Sequence, residues 1–253
     1  MVMANRMSVA LNSFRPTSYN VADQARMAAA VNYFAWQARL VKPELGRRVV
    51  EIGCGSGNFT GTLLDREAVL ALDVDPECVE RTRQRFPDRG NLSASVCDAA
   101  DLVTGTRAFD EVQRFSPDSI ACLNVLEHIE DDLVAVRGMA SLLPKGGVIV
   151  LIVPAFEFLY GPIDRNLGHH RRYRRQSIAK LALDCTLRIR KLHYMNSVGF
   201  FGWWLNAHVL KREKQSEQQI VVFDRAIVPV LSRMEAAVPP PFGQSLFVVL
   251  EKP

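Results

Sequence analysis

The sequence has no Cys-x-x-Cys pair, and its five cysteines (Cys54, Cys78, Cys97, Cys122 and Cys185) are odd in number. Neither a cysteine-based zinc site nor a disulfide framework is expected, no metal is expected, and a reducing cytoplasm is the compartment that fits. No run of about 18 apolar residues occurs, and Met1 to Asn20 lack a basic start followed by an apolar core. The expectation is a chain that is neither secreted nor membrane-spanning. A large excess of one charge is missing too: 31 Lys and Arg against 27 Asp and Glu leave a formal net charge of +4. A nucleic-acid partner is therefore not expected. One local cluster of basic residues stands near residue 170: Arg165, Arg171, Arg172, Arg174 and Arg175. With 253 residues, 48% of them hydrophobic, the chain suffices for a single α/β domain with a sizeable core.

What the sequence does have is Val49-Val50-Glu51-Ile52-Gly53-Cys54-Gly55-Ser56-Gly57-Asn58, an apolar strand running into three alternating glycines. Glycines let the backbone turn sharply and approach a ligand closely, and a helix opening at Asn58 would aim its free N–H groups at the same place. The pattern G-x-G-x-x-G of dinucleotide sites fails in both registers, because its third glycine falls on Asn58 or Thr60. No Tyr-x-x-x-Lys pair in a suitable helix supports a nicotinamide reductase either.

Apolar positions at helical spacing (Ala25, Ala29, Tyr33, Trp36, Leu40) precede Pro43 and predict one or two N-terminal helices. Strands are predicted at Arg48 to Ile52, Val69 to Leu72, Leu92 to Val96, Ser119 to Leu123, Val148 to Val153, Leu187 to Met195 and Leu246 to Leu250. Regular alternation of the first five with helical segments argues for a parallel, doubly wound sheet whose ligands sit at the carboxyl ends of the strands. Ala155 to Arg175 reads as a basic loop, and Gln176 to Cys185 as a helix. Apolar helical stretches at Val198 to Leu210 and Ile220 to Met234 read either as a cap over the sheet or as a dimerisation surface.

The second strand ends in Leu72-Asp73-Val74-Asp75, beside the glycine turn. A carboxylate at Asp73 suits both hydroxyls of a ribose, and Asp75 before Pro76 suits a helix N-cap. The third strand ends in Val96-Cys97-Asp98-Ala99, and the fourth continues into Asn124-Val125-Leu126-Glu127-His128-Ile129. Leu142-Leu143-Pro144-Lys145-Gly146-Gly147 precedes the fifth.

Together these segments resemble class I S-adenosylmethionine-dependent methyltransferases, whose first motif is an acid, any residue, then G-x-G-x-G. Further on, Leu167-Gly168-His169-His170-Arg171-Arg172-Tyr173 is similar to the "LGHYRRY" segment of a bacterial subfamily, with His170 in place of the commoner Tyr. Gly202-Trp203-Trp204-Leu205, Phe223-Asp224-Arg225 and Pro239-Pro240-Pro241-Phe242-Gly243 extend the likeness over nearly the whole chain.

The resemblance implies a single domain with a seven-stranded, mostly parallel Rossmann-like sheet. Its parts would be an N-terminal lid (1–45), a cofactor-binding core (46–155), an acceptor loop, helix and strand (156–195), a helical cap (196–244) and a last strand (245–253). It implies S-adenosylmethionine as cofactor, held by Glu51, Gly53, Cys54, Gly55, Asp73, Val74, Asp98, Ala99, Asn124 and Tyr33. Asp73 would meet the ribose, Asp98 the adenine amino group, and Asn124 the methionine part.

The cofactor's methyl group is already electrophilic, so the protein must chiefly align an acceptor and exclude water. A hydroxyl or amine acceptor benefits from a base, for which His128, His169 and His170 are the candidates; His128 could equally serve structure. His193 and His208 are expected to pack. Arg171 or Arg172 could hold an anionic acceptor by a bidentate contact, and the arginines could instead pair with acids such as Asp164. Tyr160, Tyr173 and Trp203 complete the expected acceptor set. Charge and an apolar cap together suggest a carboxylate- or phosphate-bearing, lipid-like acceptor or glycan intermediate, with peripheral membrane contact conceivable. Oxygen is the expected target, nitrogen or carbon the alternatives, and a monomer or homodimer the expected assembly. The competing class is a non-catalytic S-adenosylmethionine-binding regulatory or interaction module.

Overall fold

A computed structural model describes residues 26–214 and 216–253. Seven strands form one sheet: β1 Arg48–Ile52, β2 Ala68–Asp73, β3 Leu92–Val96, β4 Ser119–Leu123, β5 Val148–Pro154, β6 Arg188–Met195 and β7 Ser245–Glu251. Their order is β3-β2-β1-β4-β5-β7-β6. β1 to β5 pair in parallel, whereas β7 runs antiparallel to both β5 and β6. Each strand read from the sequence is present: β1, β3 and β4 with the expected ends, and the other four with one or both ends shifted by one residue.

The strand sequences explain the double layer. Side chains alternate between faces along a strand, so a strand covered on both sides must be apolar throughout. In β5, Ile149, Leu151 and Val153 enter one core with Leu126, Met139 and Ile178, while Val148, Val150 and Ile152 enter the other with Trp36, Val228 and Phe247. Between β1 and β4 the chain reverses its direction across the sheet, and this switch point opens a crevice at the carboxyl ends of the strands.

Two expectations are corrected. The glycine turn is followed not by an α-helix at Asn58 but by turns and a short 3-10 segment, Thr60–Leu63. Gly57, Gly61 and the threonines at 60 and 62 are weak helix formers, and Thr60 Oγ1 is tied to Glu51 Oε2 at 2.6 Å. The basic loop 155–175 contains a short helix, Pro162–Leu167, which begins where Gly161 N–H donates to Asp164 Oδ2 at 2.9 Å. Asp75 does cap the helix Pro76–Arg85, accepting from Glu77 N–H at 2.8 Å.

The cap between β6 and β7 is two helical stretches. Ser197–Trp204 continues into a π-helical turn Leu205–Val209; Glu217–Val222 passes through a second, Phe223–Ile227, into Val228–Ala237. Of the expected lid, Val31–Val41 is helical, and residues 1–25 lie outside the described residues. Among the described residues no helix is long and apolar enough to cross a membrane.

Candidate active site

The chemistry gathers where β1, β2, β3 and β4 end. Gly53 N–H and Cys54 N–H both reach Leu72 O, at 2.7 and 2.9 Å, which folds the turn after β1 back onto β2. Gly53 has φ +76°, and a Cβ added there would overlap the side chain of Val125. Glycine is thus required twice over, by conformation and by space. Beneath the turn Glu51 is 3% exposed. Burial pushes its carboxyl up to about 8, against the hydrogen bond from Thr60.

Asp73 receives Gly55 N–H on Oδ2 at 2.8 Å and Asp75 N–H on Oδ1 at 2.9 Å. Burial raises its pKa, opposed by those backbone hydrogen bonds. Each oxygen keeps a further lone pair for a ligand. Asp98 binds Ala100 N–H through Oδ1 at 2.9 Å, starting a 3-10 turn. Asn124, after β4, adopts φ +55° with its N–H on Ile152 O.

Asp73, Asp98 and Asn124 line one cavity of about 940 Å³, which extends under the cap. That is the upper end of the roughly 300–1,000 Å³ usual for small-molecule sites, and it leaves room for two reactants. Phe34, Trp203, Leu205, Ile220 and Phe223 give its outer part an apolar lining, with Asn196 and Gln244 as polar points. Asp224, 2% exposed, joins lid to cap: its Oδ1 accepts Tyr33 N–H at 2.8 Å and its Oδ2 accepts Asn32 N–H at 3.1 Å. Burial raises the phenol pKa of Tyr33.

Across from the acids lies a charged cluster. Asp164, wholly buried, accepts from His169 Nδ1 (2.9 Å), Arg172 Nε (2.9 Å) and Trp203 Nε1 (3.2 Å). Burial disfavours its charge, yet the His169 hydrogen bond and Arg172 hold its pKa below the usual carboxylate range. Arg172 donates also to Ala155 O and lies 4.7 Å from the centre of the Trp203 ring. The His128 and His169 rings meet edge to face, 4.6 Å between centroids. Burial, then the neighbouring His169 and His170, push the imidazole of His128 down to about 3. Burial raises Glu127 to about 7, against the pull of His169 and Arg172.

Of the residues named from the sequence, Glu51, Gly53, Cys54, Asp73, Val74, Asp98, Ala99, Asn124 and Tyr33 all line the cavity, as do His128, His169, His170, Arg172 and Trp203. Gly55 stands behind the wall and braces Asp73. Tyr160, Arg171 and Tyr173 do not line it. The Tyr160 hydroxyl donates to His169 O; Arg171 pairs with Asp132 and bonds Glu130 O; the Tyr173 hydroxyl donates to Asp132 Oδ2. The expected bidentate grip on an acceptor anion is corrected on the same ground. Both guanidiniums are already engaged by internal acids, Asp164 and Asp132. His193 and His208 lie outside the cavity. Sequence reasoning passed over Glu127, Asp164 and Asp224 as site residues, although each stands inside a segment that it had singled out.

Residues 50–149 match the family model of a methyltransferase domain. The fold is that of class I methyltransferases. The S-adenosylmethionine-dependent methyltransferase of Mesorhizobium loti superposes with a TM-score of 0.57 at 17% identity, covering 88% of this chain and 98% of that one. The N-methyltransferase NodS of Bradyrhizobium japonicum WM9, solved with S-adenosyl-L-homocysteine, superposes with a TM-score of 0.53 at 17% identity, covering 87% and 84%. In sequence, the chain is 34% identical over 115 residues to the ubiquinone biosynthesis O-methyltransferase of Xanthomonas campestris pv. campestris (strain B100), spanning 45% of this chain and 45% of that protein. The chain thus matches somewhat less than half the length of that relative.

Proposed function

We propose that this protein transfers the methyl group of S-adenosylmethionine to a hydroxyl oxygen of a small, amphiphilic acceptor. The carrying observation is the single cavity that has the glycine turn, Asp73 and Asp98 at one end and the Glu127, His128 and His169 cluster under an apolar cap at the other. The acids and the close-packed turn fit an adenosine-bearing, cationic ligand: Asp73 would hold the ribose, Asp98 the adenine and Asn124 the methionine part. When bound, that cofactor supplies an electrophilic methyl on a positively charged sulfur. Gln37, Tyr33 and the cap shield the reacting region from water. The cluster would face the acceptor: the acceptor's hydroxyl oxygen would take the methyl group, and a side chain of the cluster, Glu127 or His169, would take the proton that the oxygen loses.

Oxygen is favoured because the relative similar in sequence is named an O-methyltransferase. An amphiphilic rather than simply anionic acceptor follows from the apolar lining and from the internal engagement of Arg171 and Arg172. Calorimetry with S-adenosylmethionine and NAD tests the cofactor; only the former is expected to bind. Transfer of labelled methyl into pools of phenols, acids and polyprenyl glycolipids tests the reaction. Binding with no transfer to any pool would favour a non-catalytic binding module instead.

A further inference from the structure

Glu127 and His128 follow β4, and His169 lies on the loop after β5, yet their ligand-capable atoms all lie within 4.8 Å of one another. Glu127 is 1% exposed and its Oε2 has no hydrogen-bond partner among the described residues. A buried carboxylate oxygen with nothing to accept from calls for a positive or donating group. The two imidazoles cannot satisfy it fully, because each is already oriented from outside. His169 Nδ1 is held on Asp164 Oδ1 at 2.9 Å, and His128 is hydrogen-bonded to the main chain of Leu167. Each ring is left with its other nitrogen. A carboxylate or carbonyl behind each histidine is the outer-partner pattern of metal-ligating histidines.

Arg172 is paired with Asp164, and no hydrogen-bond donor among the described residues reaches Glu127 Oε2 beside the two rings. We propose that Glu127, His128 and His169 bind one divalent transition-metal ion of the zinc type. Two imidazoles and one carboxylate suit zinc, cobalt or iron(II) better than magnesium or calcium, which prefer all-oxygen shells. Bonds of about 2.0–2.2 Å in a tetrahedral shell set ligand atoms roughly 3.4 Å apart, so the three atoms, now within 4.8 Å of one another, would draw together on binding. Three protein ligands leave a coordination position open, as in catalytic zinc sites, and all three residues border the cavity. The role of the ion rests on the methyl-transfer reading: it would take the acceptor's hydroxyl oxygen and ease loss of its proton.

The test is a titration of the full-length protein, freed of metal by a chelator, with Co²⁺. Expected are one ion per chain, visible absorption of a four- or five-coordinate ion, no near-ultraviolet thiolate band, and displacement by Zn²⁺. Glu127→Gln and His169→Ala should each weaken Co²⁺ binding by at least about 100-fold, while calorimetric affinity for S-adenosylmethionine stays within a few-fold as the check on folding. His193→Ala, outside the cavity, should titrate like the wild type. If a variant does not fold, the wild-type spectrum alone decides. Only the aqua-ion spectrum, a thiolate band, or folded variants that titrate like the wild type would overturn the proposal. S-adenosylmethionine binding without metal binding sinks the metal site alone; metal binding without cofactor binding sinks the methyl-transfer reading alone.

Discussion

The carboxylate of Asp224 accepts the main-chain N–H of Tyr33 at 2.8 Å across 191 residues of sequence. With Asn32 on its other oxygen, Asp224 supplies from the cap the N-terminal cap that the helix Val31–Val41 lacks locally. Such caps contribute roughly 0.5–2 kcal/mol. Asp224→Ala should therefore loosen the lid: amide exchange across residues 31–37 should quicken, and cofactor affinity should fall several-fold by calorimetry. Unchanged exchange would refute the tie.

Gly53→Ala should lower the melting temperature and weaken cofactor binding together, since it meets both φ +76° and the side chain of Val125. Adding Val125→Ala removes the overlap but not the backbone strain of roughly 1–2 kcal/mol. The double variant should recover only part of the stability in a thermal melt.

Asp73→Asn should reduce affinity for S-adenosylmethionine by one to several orders of magnitude, because hydrogen bonds to a charged partner contribute about 1.5–3 kcal/mol each. It also disturbs the turn through Gly55 and Asp75. Near-native affinity in calorimetry would remove Asp73 from the ribose role.

Glu51 gives a pH signature. Its folded pKa, about 8, lies above the 4.5 of the free side chain. The folded state thus holds the extra proton, and the stability from this group is full below about pH 4.5 and is lost as the pH rises through about 8. An upper bound on that loss is roughly 5 kcal/mol. Glu51→Gln cannot ionise, so its melting temperature relative to wild type should climb across this window. A difference independent of pH would show that Glu51 is not buried as an acid.

The strands were legible because doubly covered strands must be apolar and are bounded by turns, and Asp73 and Asp98 were legible because they end strands. The helix expected at Asn58 failed on its own composition, two glycines and two threonines. The Glu127, His169 and Asp164 convergence was not legible, since it depends on the loop after β5 folding back. Phe156 N–H on Tyr173 O and Tyr173 N–H on Pro154 O, both at 2.8 Å, make that return. For the arginine cluster the sequence left two readings open, an acceptor anion or partner acids such as Asp164; the structure pairs Arg172 with Asp164 and Arg171 with Asp132, a choice that depends on the same fold-back.

Met195 and Ser245 are register partners in the β6–β7 pair. The chain that supplies the apolar outer lining of the cavity therefore leaves the sheet and re-enters it at one rung of the ladder. In connectivity terms, 196–244 is an oversized hairpin connection. The entropic cost of closing such a connection grows only slowly with its length, so its contents can be rewritten while its two anchor points stay fixed. Exchange of this segment between proteins of the same fold would then reshape the outer part of the cavity and leave the glycine turn and its acids untouched.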